Sequence, residues 1–95
     1  MLHLDDVLRI APGVLSRQSE DELVVVLPGE GRFIVLNRTG AVVFQELNGK
    51  RTLDEIATAL SESYSVSLER ARQDVLAFAN KLLERGAAVK VEKGG

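Results

Sequence analysis

Few side chains in this sequence could make or break a bond. The single histidine, His3, has no acid, base or further ligand at a catalytic or metal-binding spacing, and reads as an exposed side chain. Cysteine is absent, which excludes disulfides, zinc–thiolate sites and thiol nucleophiles. Asp5-Asp6 and Glu20-Asp21-Glu22 are carboxylate clusters in polar segments, whereas a catalytic carboxylate needs a pocket that shifts its pKa. No phosphate-binding loop, dinucleotide glycine pattern, zinc-protease helix or nucleophile elbow occurs. The sequence therefore predicts no catalytic residue, no cofactor and no metal site. What remains is the chemistry of the backbone. Phe33-Ile34-Val35-Leu36 is a continuous apolar run that reads as a strand, and a strand at a sheet edge offers unpaired N–H and C=O groups.

The elements that position this run follow from composition and pattern. With 95 residues, 45% hydrophobic, the chain is expected to form one domain over 1–95 with one core and little spare stability. A net charge of −2 with 27% charged residues does not suggest a polyanion ligand. No apolar run approaches the roughly 20 residues that span a bilayer. The acidic N-terminus lacks an apolar signal core, so the expectation is a cytoplasmic protein without a membrane partner.

Residues 1–13 read as a loosely held arm ended by Pro12-Gly13, and residues 14–18 as a first strand. Leu23-Val24-Val25-Val26-Leu27 has apolar residues on both parities, as expected of a middle strand. Leu27-Pro28-Gly29-Glu30 suits a type II turn, so the 33–36 strand should follow as the third of a meander. Asn37 can cap a first helix through Gly40, Val43, Phe44 and Leu47, with Asn48-Gly49 as its stop. Thr52-Leu53-Asp54-Glu55 is a capping box for a second helix. Ser67 caps a third, which Gly86 ends. The third helix has a wide apolar stripe, including Val75, Phe78, Ala79 and Leu82, broad enough to serve the core and a second surface. Residues 87–91 add a short extended piece and 92–95 a frayed tail. The expected fold is α+β: a three-stranded antiparallel sheet followed by three helices, with a winged helix-turn-helix shape.

That shape raises duplex binding as an alternative. The third helix carries Arg70, Arg72, Lys81 and Arg85 against Glu69, Asp74 and Glu84, leaving little net charge. A major-groove helix normally brings more. The edge strand is more informative: Phe33–Leu36 contains no Pro, and Arg32 alone guards it. Either another element covers this edge, or a partner peptide adds a strand to it. A third reading is docking through the apolar arm.

In this order, Arg32-Phe33-Ile34-Val35-Leu36-Asn37-Arg38-Thr39-Gly40-Ala41, Phe44-Gln45-Glu46-Leu47-Asn48-Gly49, Thr52-Leu53-Asp54-Glu55-Ile56-Ala57 and Asp74-Val75 with Phe78 and Leu82 resemble the PqqD-like family, the RiPP recognition elements. The resemblance runs from about residue 11 to residue 86, and Phe44 stands where many members have Trp. It implies a non-catalytic protein that binds the leader region of a ribosomally made precursor peptide. The leader would lie as an added strand on the third strand, against the third helix. The partner enzyme would be a leader peptidase of lasso-peptide maturation or a radical-SAM-type enzyme, as in pyrroloquinoline quinone biosynthesis. Of the two, the lasso branch is preferred. The implied peptide-binding set is Arg32, Phe33, Ile34, Val35, Leu36, Arg72, Asp74, Val75, Phe78, Ala79 and Leu82. Phe33 and Val35 are expected to line the groove, with a core role as the alternative for each. A Pro at Ile34 is expected to abolish binding by deleting a ladder N–H.

Overall fold

A computed structural model describes residues 2–29 and 31–92 of the chain. Glu30 of the expected turn, and 93–95 of the expected tail, lie outside the described residues. The element order is β1 (Val7–Ile10), β2 (Leu15–Gln18), β3 (Leu23–Val26), β4 (Phe33–Leu36), α1 (Arg38–Glu46), β5 (Asn48–Thr52), α2 (Leu53–Tyr64), α3 (Leu68–Glu84) and β6 (Ala88–Lys90).

Among the described residues there are two three-stranded antiparallel sheets, not one. The expected meander is present in the order β2-β3-β4. The second sheet, β5-β1-β6, was not anticipated. Its centre, β1, lies in the segment read as a loose arm. Leu8 is fully buried there, and β1 pairs with β5 on one side and β6 on the other. The arm also completes α2: Leu53 N–H donates to Asp6 C=O (3.0 Å) and Asp54 N–H to Leu4 C=O (2.9 Å). These are first-turn donors that the helix cannot satisfy itself. With Leu2 and Leu8 in the core, the arm is no free docking peptide. The Asn48-Gly49 stretch, read as a helix stop, opens β5 instead; α1 has already closed at Leu47, whose N–H donates to Phe44 C=O.

The helix starts agree with the sequence. Asn37 Oδ1 accepts from Gly40 N–H at 2.9 Å. Thr52 and Glu55 bond reciprocally, Thr52 N–H to Glu55 Oε1 at 2.9 Å and Glu55 N–H to Thr52 Oγ1 at 3.1 Å. Ser67 Oγ accepts from Arg70 N–H. Gly86, at φ +78°, ends α3, with Ala87 N–H donating to Leu82 C=O and Gly86 N–H to Leu83 C=O. That is a Schellman closure, and it turns the chain into β6. One core of buried residues, among them Leu8, Val25, Ile34, Leu36, Val43, Leu53, Ile56, Val75 and Leu82, joins both sheets to the three helices.

Candidate peptide-binding edge

The site starts from a hairpin. Leu27-Pro28-Gly29 turns the chain after β3, Gly29 taking φ +96°, a conformation that costs a glycine little. Leu27 N–H then donates to Arg32 C=O at 2.9 Å. The register places Val26 opposite Phe33, Val25 opposite Ile34, Val24 opposite Val35 and Leu23 opposite Leu36. In an antiparallel ladder, hydrogen-bonded and non-bonded pairs alternate. Leu27–Arg32 is a bonded pair, so Val25–Ile34 and Leu23–Leu36 are bonded pairs too. The backbone N–H and C=O of Phe33 and Val35 therefore point away from β3, to the open side of β4.

The other end of β3 has the same logic. Ser19 N–H donates to Glu22 C=O at 2.8 Å, so β2 pairs through Val24 and Val26. Every backbone group of β3 has a direction, and β4 is left as the edge. Among the described residues, β4 pairs with β3 alone. The expected Pro at Ile34 is corrected here. Ile34 N–H faces β3, so a Pro there would break the sheet itself. The N–H groups on the open side belong to Phe33 and Val35.

Side chains alternate with the same period. Ile34 (4% exposed) and Leu36 (1%) enter the core, while Phe33 (61%) and Val35 (42%) face outward. The strand is thus fastened by one parity and presents the other, and Arg32 beside it is exposed.

Gly40 brings α1 against both β4 and α3. A Cβ built on Gly40 would stand 2.7 Å from Phe78 Cε1 and 3.2 Å from Leu36 Cβ, so any side chain here would force the Phe78 ring to shift. The end of β4, the start of α1 and the middle of α3 meet at this point. At about 3.6 residues per turn, Asp74 and Phe78 share one flank of the buried α3 stripe, and Arg72, Leu76 and Leu83 share the other.

The sequence-chosen residues thus separate into groups. Val75, Ala79 and Leu82 have no exposed surface and are core. Phe78 is half-buried at the margin of that core. Asp74 is half-buried with Arg70 Nε at 3.7 Å. Arg72 lies on the α2 side, where its Nε donates to Asp54 Oδ1 at 2.7 Å. Both arginines that a duplex-binding α3 would use are therefore engaged by carboxylates. Sequence reasoning missed the Arg72–Asp54 contact, which joins residues far apart in the chain. It also missed which of the β4 N–H groups are free, which the Leu27–Arg32 hydrogen bond decides.

Two carboxylates elsewhere sit below their usual range. Asp6 is held down first by the His3 backbone N–H at 2.8 Å, with Lys90 adding to it. Glu55 is held down by its hydrogen bonds to Thr52 in the capping box. Both serve the frame rather than the edge. No helix among the described residues is long and apolar enough to cross a membrane.

The architecture is shared with solved proteins. The PqqD part of Methylobacterium extorquens PqqCD, described as a functional, stand-alone RiPP recognition element, superposes with a TM-score of 0.80 at 23% identity, over 94% of this chain and 95% of that one. TbiB1 in complex with the TbiA(beta) leader peptide gives 0.77 at 22% identity, over 90% and 99%. Lasso peptide synthetase B1, complexed with the leader peptide, gives 0.76 at 27% identity, over 86% and 96%. No curated protein matches the chain at the sequence level. The family model for coenzyme PQQ synthesis protein D matches residues 22–87, which hold β3, β4 and all three helices, and the chain belongs to this PqqD family.

Proposed function

We propose that this chain binds the leader segment of a ribosomally made precursor peptide by strand addition at β4, beside α3, and presents it to a separate maturation enzyme. The observation that carries the reading is the state of β4. Its Ile34 and Leu36 side chains are consumed by the core, while the backbone groups of Phe33 and Val35 are turned to an open edge. Backbone pairing supplies affinity in such recognition, and pockets for alternate side chains supply specificity. Arg32, Asp74 and Phe78 flank the added strand. Ile34, Leu36, Val75, Ala79 and Leu82 hold the frame from within, and Arg72 fixes α3 to α2. Two of the similar structures hold leader peptides, which supports the same class of ligand here. The chain contributes no catalytic group; the chemistry belongs to the enzyme, a leader peptidase or a radical-SAM-type enzyme, in the cytoplasm.

The test is titration of the protein with synthetic leaders from the short precursor genes beside its own. Affinity in the micromolar range or tighter is expected, lost on Val35→Pro with the fold retained. Equal binding by a folded Val35→Pro variant, or no binding of any neighbouring leader, would sink the reading. Duplex binding that weakens on removal of Arg70 and Arg72 would favour the nucleic-acid alternative instead.

A further inference from the structure

We propose that, without leader, the β4 edge pairs with the β4 edge of a second copy of this chain, and that leader and second copy exclude one another. This rests on the leader-binding reading and adds a regulation to the same site. An open strand edge templates further pairing unless something blunts it. β5, at the rim of the other sheet, blunts itself. Asn48 Oδ1 accepts from Lys50 N–H at 2.9 Å and Arg51 N–H at 3.4 Å, and Thr52 N–H is held by Glu55 Oε1. Among the described residues no side chain does this for Phe33 or Val35, whose own side chains are exposed and apolar.

The register identifies the occupant. In an antiparallel pair of β4 strands, residues that exchange both bonds must be ones whose backbone faces the open side. The two-fold axis can therefore pass Phe33, Ile34 or Val35. With the axis at Phe33, Val35 faces the partner's Gly31, whose N–H is already donated to Gly29 C=O at 2.9 Å. With the axis at Val35, Phe33 faces the partner's Asn37, whose C=O already accepts from Ala41 N–H at 2.8 Å. With the axis at Ile34, Phe33 faces the partner's Val35, and Val35 the partner's Phe33. Only this register joins free donors to free acceptors throughout, each pair exchanging both bonds. It sets an aromatic ring against a β-branched side chain at both pairs, a favourable cross-strand contact. It also sets Arg32 against the partner's Leu36, so like charges do not oppose one another. Such self-complementarity is what a two-fold interface requires.

Leader and second copy need the same backbone groups of Phe33 and Val35, so the edge holds one at a time. Two short strands bury less than the roughly 1,200 Å² of a stable complex, so the pairing is weak. Dilute protein is a monomer with open Phe33 and Val35 amides, and concentrated protein without leader is a dimer. Only the monomer takes leader, so apparent leader affinity falls with the monomer fraction.

Sedimentation of the full, leader-free chain from micromolar to near-millimolar concentration tests this, together with a leader that binds the dilute protein. A reversible monomer–dimer equilibrium is expected, and saturating leader returns the protein to a one-to-one complex. Val35→Pro should keep its fold and stay monomeric. Charge reads the register. Phe33→Arg combined with Val35→Glu brings opposite charges together at both pairs, and should keep a dimer that salt weakens. Phe33→Arg combined with Val35→Arg should be monomeric, and the reverse order of these two variants overturns the Ile34 axis. A wild-type monomer at every concentration overturns the proposal and leaves leader binding standing. A dimer that survives in folded Val35→Pro, or that takes up leader without dissociating, overturns the β4 edge as the shared site. A dilute protein that binds no leader removes the parent reading at the first step, and the competition with it.

Discussion

Leu27 N–H donates to Arg32 C=O at 2.9 Å, and this one bond sets the phase of β4. It sends the backbone groups of Ile34 and Leu36 to β3, and those of Phe33 and Val35 to the open edge. Two proline variants should therefore behave differently. Val35→Pro removes an edge N–H that has no partner in the free protein, a position where strands tolerate Pro. It should keep cooperative unfolding and lose leader binding. Ile34→Pro removes a ladder bond and disturbs a buried side chain. It should cost at least the roughly 1–3 kcal/mol of a buried backbone group left unpaired, and lower the melting temperature well below that of Val35→Pro. Circular dichroism melts with leader titration separate the two; similar melts would contradict the assigned phase.

Gly40 is the contact through which α1 reaches Phe78 and Leu36. Gly40→Ala should gain up to about 1 kcal/mol of helix propensity. It should lose more to overpacking, about 1–3 kcal/mol, because the new Cβ enters the space of Phe78 Cε1 and Leu36 Cβ. A net loss is expected in urea melts, together with weaker leader binding as the Phe78 ring shifts. A stabilised variant with unchanged binding would show that the ring yields freely and has no part in the site.

Acid should weaken the frame before it touches the edge. Asp6 and Glu55 titrate below their ordinary values of 3.8 and 4.5 in the folded chain. The unfolded chain therefore binds more protons in that range, so stability rises with pH there and is complete above the unfolded values. Lowering the pH from about 5 through 3 should erode it, and Asp6→Asn with Glu55→Gln should flatten that part of the slope. Chemical melts at several pH values measure this. An unchanged slope in the double variant would remove these groups from the account.

Much of this was legible in the residues. Thr52 and Glu55 announce a capping box because both bonds are local. Asn37, Ser67 and Gly86 likewise mark helix ends through contacts within a few residues. Leu23-Val24-Val25-Val26 and Phe33-Ile34-Val35-Leu36 read as strands from their apolar runs. The second sheet was hidden because its partners are distant and weakly patterned. Val7-Leu8-Arg9-Ile10 meets Asn48-Gly49-Lys50-Arg51-Thr52, which has no apolar alternation, and Ala88-Val89-Lys90, which is short. Spacing along α3 sets Arg72 on a flank of the stripe but does not reveal Asp54, which is brought to it from α2. The alternation of β4 was visible, but its direction was not. Only the packing of Ile34 and Leu36 into the core decides which side chains face outward.

Amide hydrogen exchange resolved to single residues, with and without leader peptide, tests strand addition most directly. In the free protein Ile34 and Leu36 should be protected, and Phe33 and Val35 should exchange fast. With leader bound, Phe33 and Val35 should become protected while Ile34 and Leu36 stay as they were. Saturating leader that leaves Phe33 and Val35 exchanging at their free rates would contradict the account.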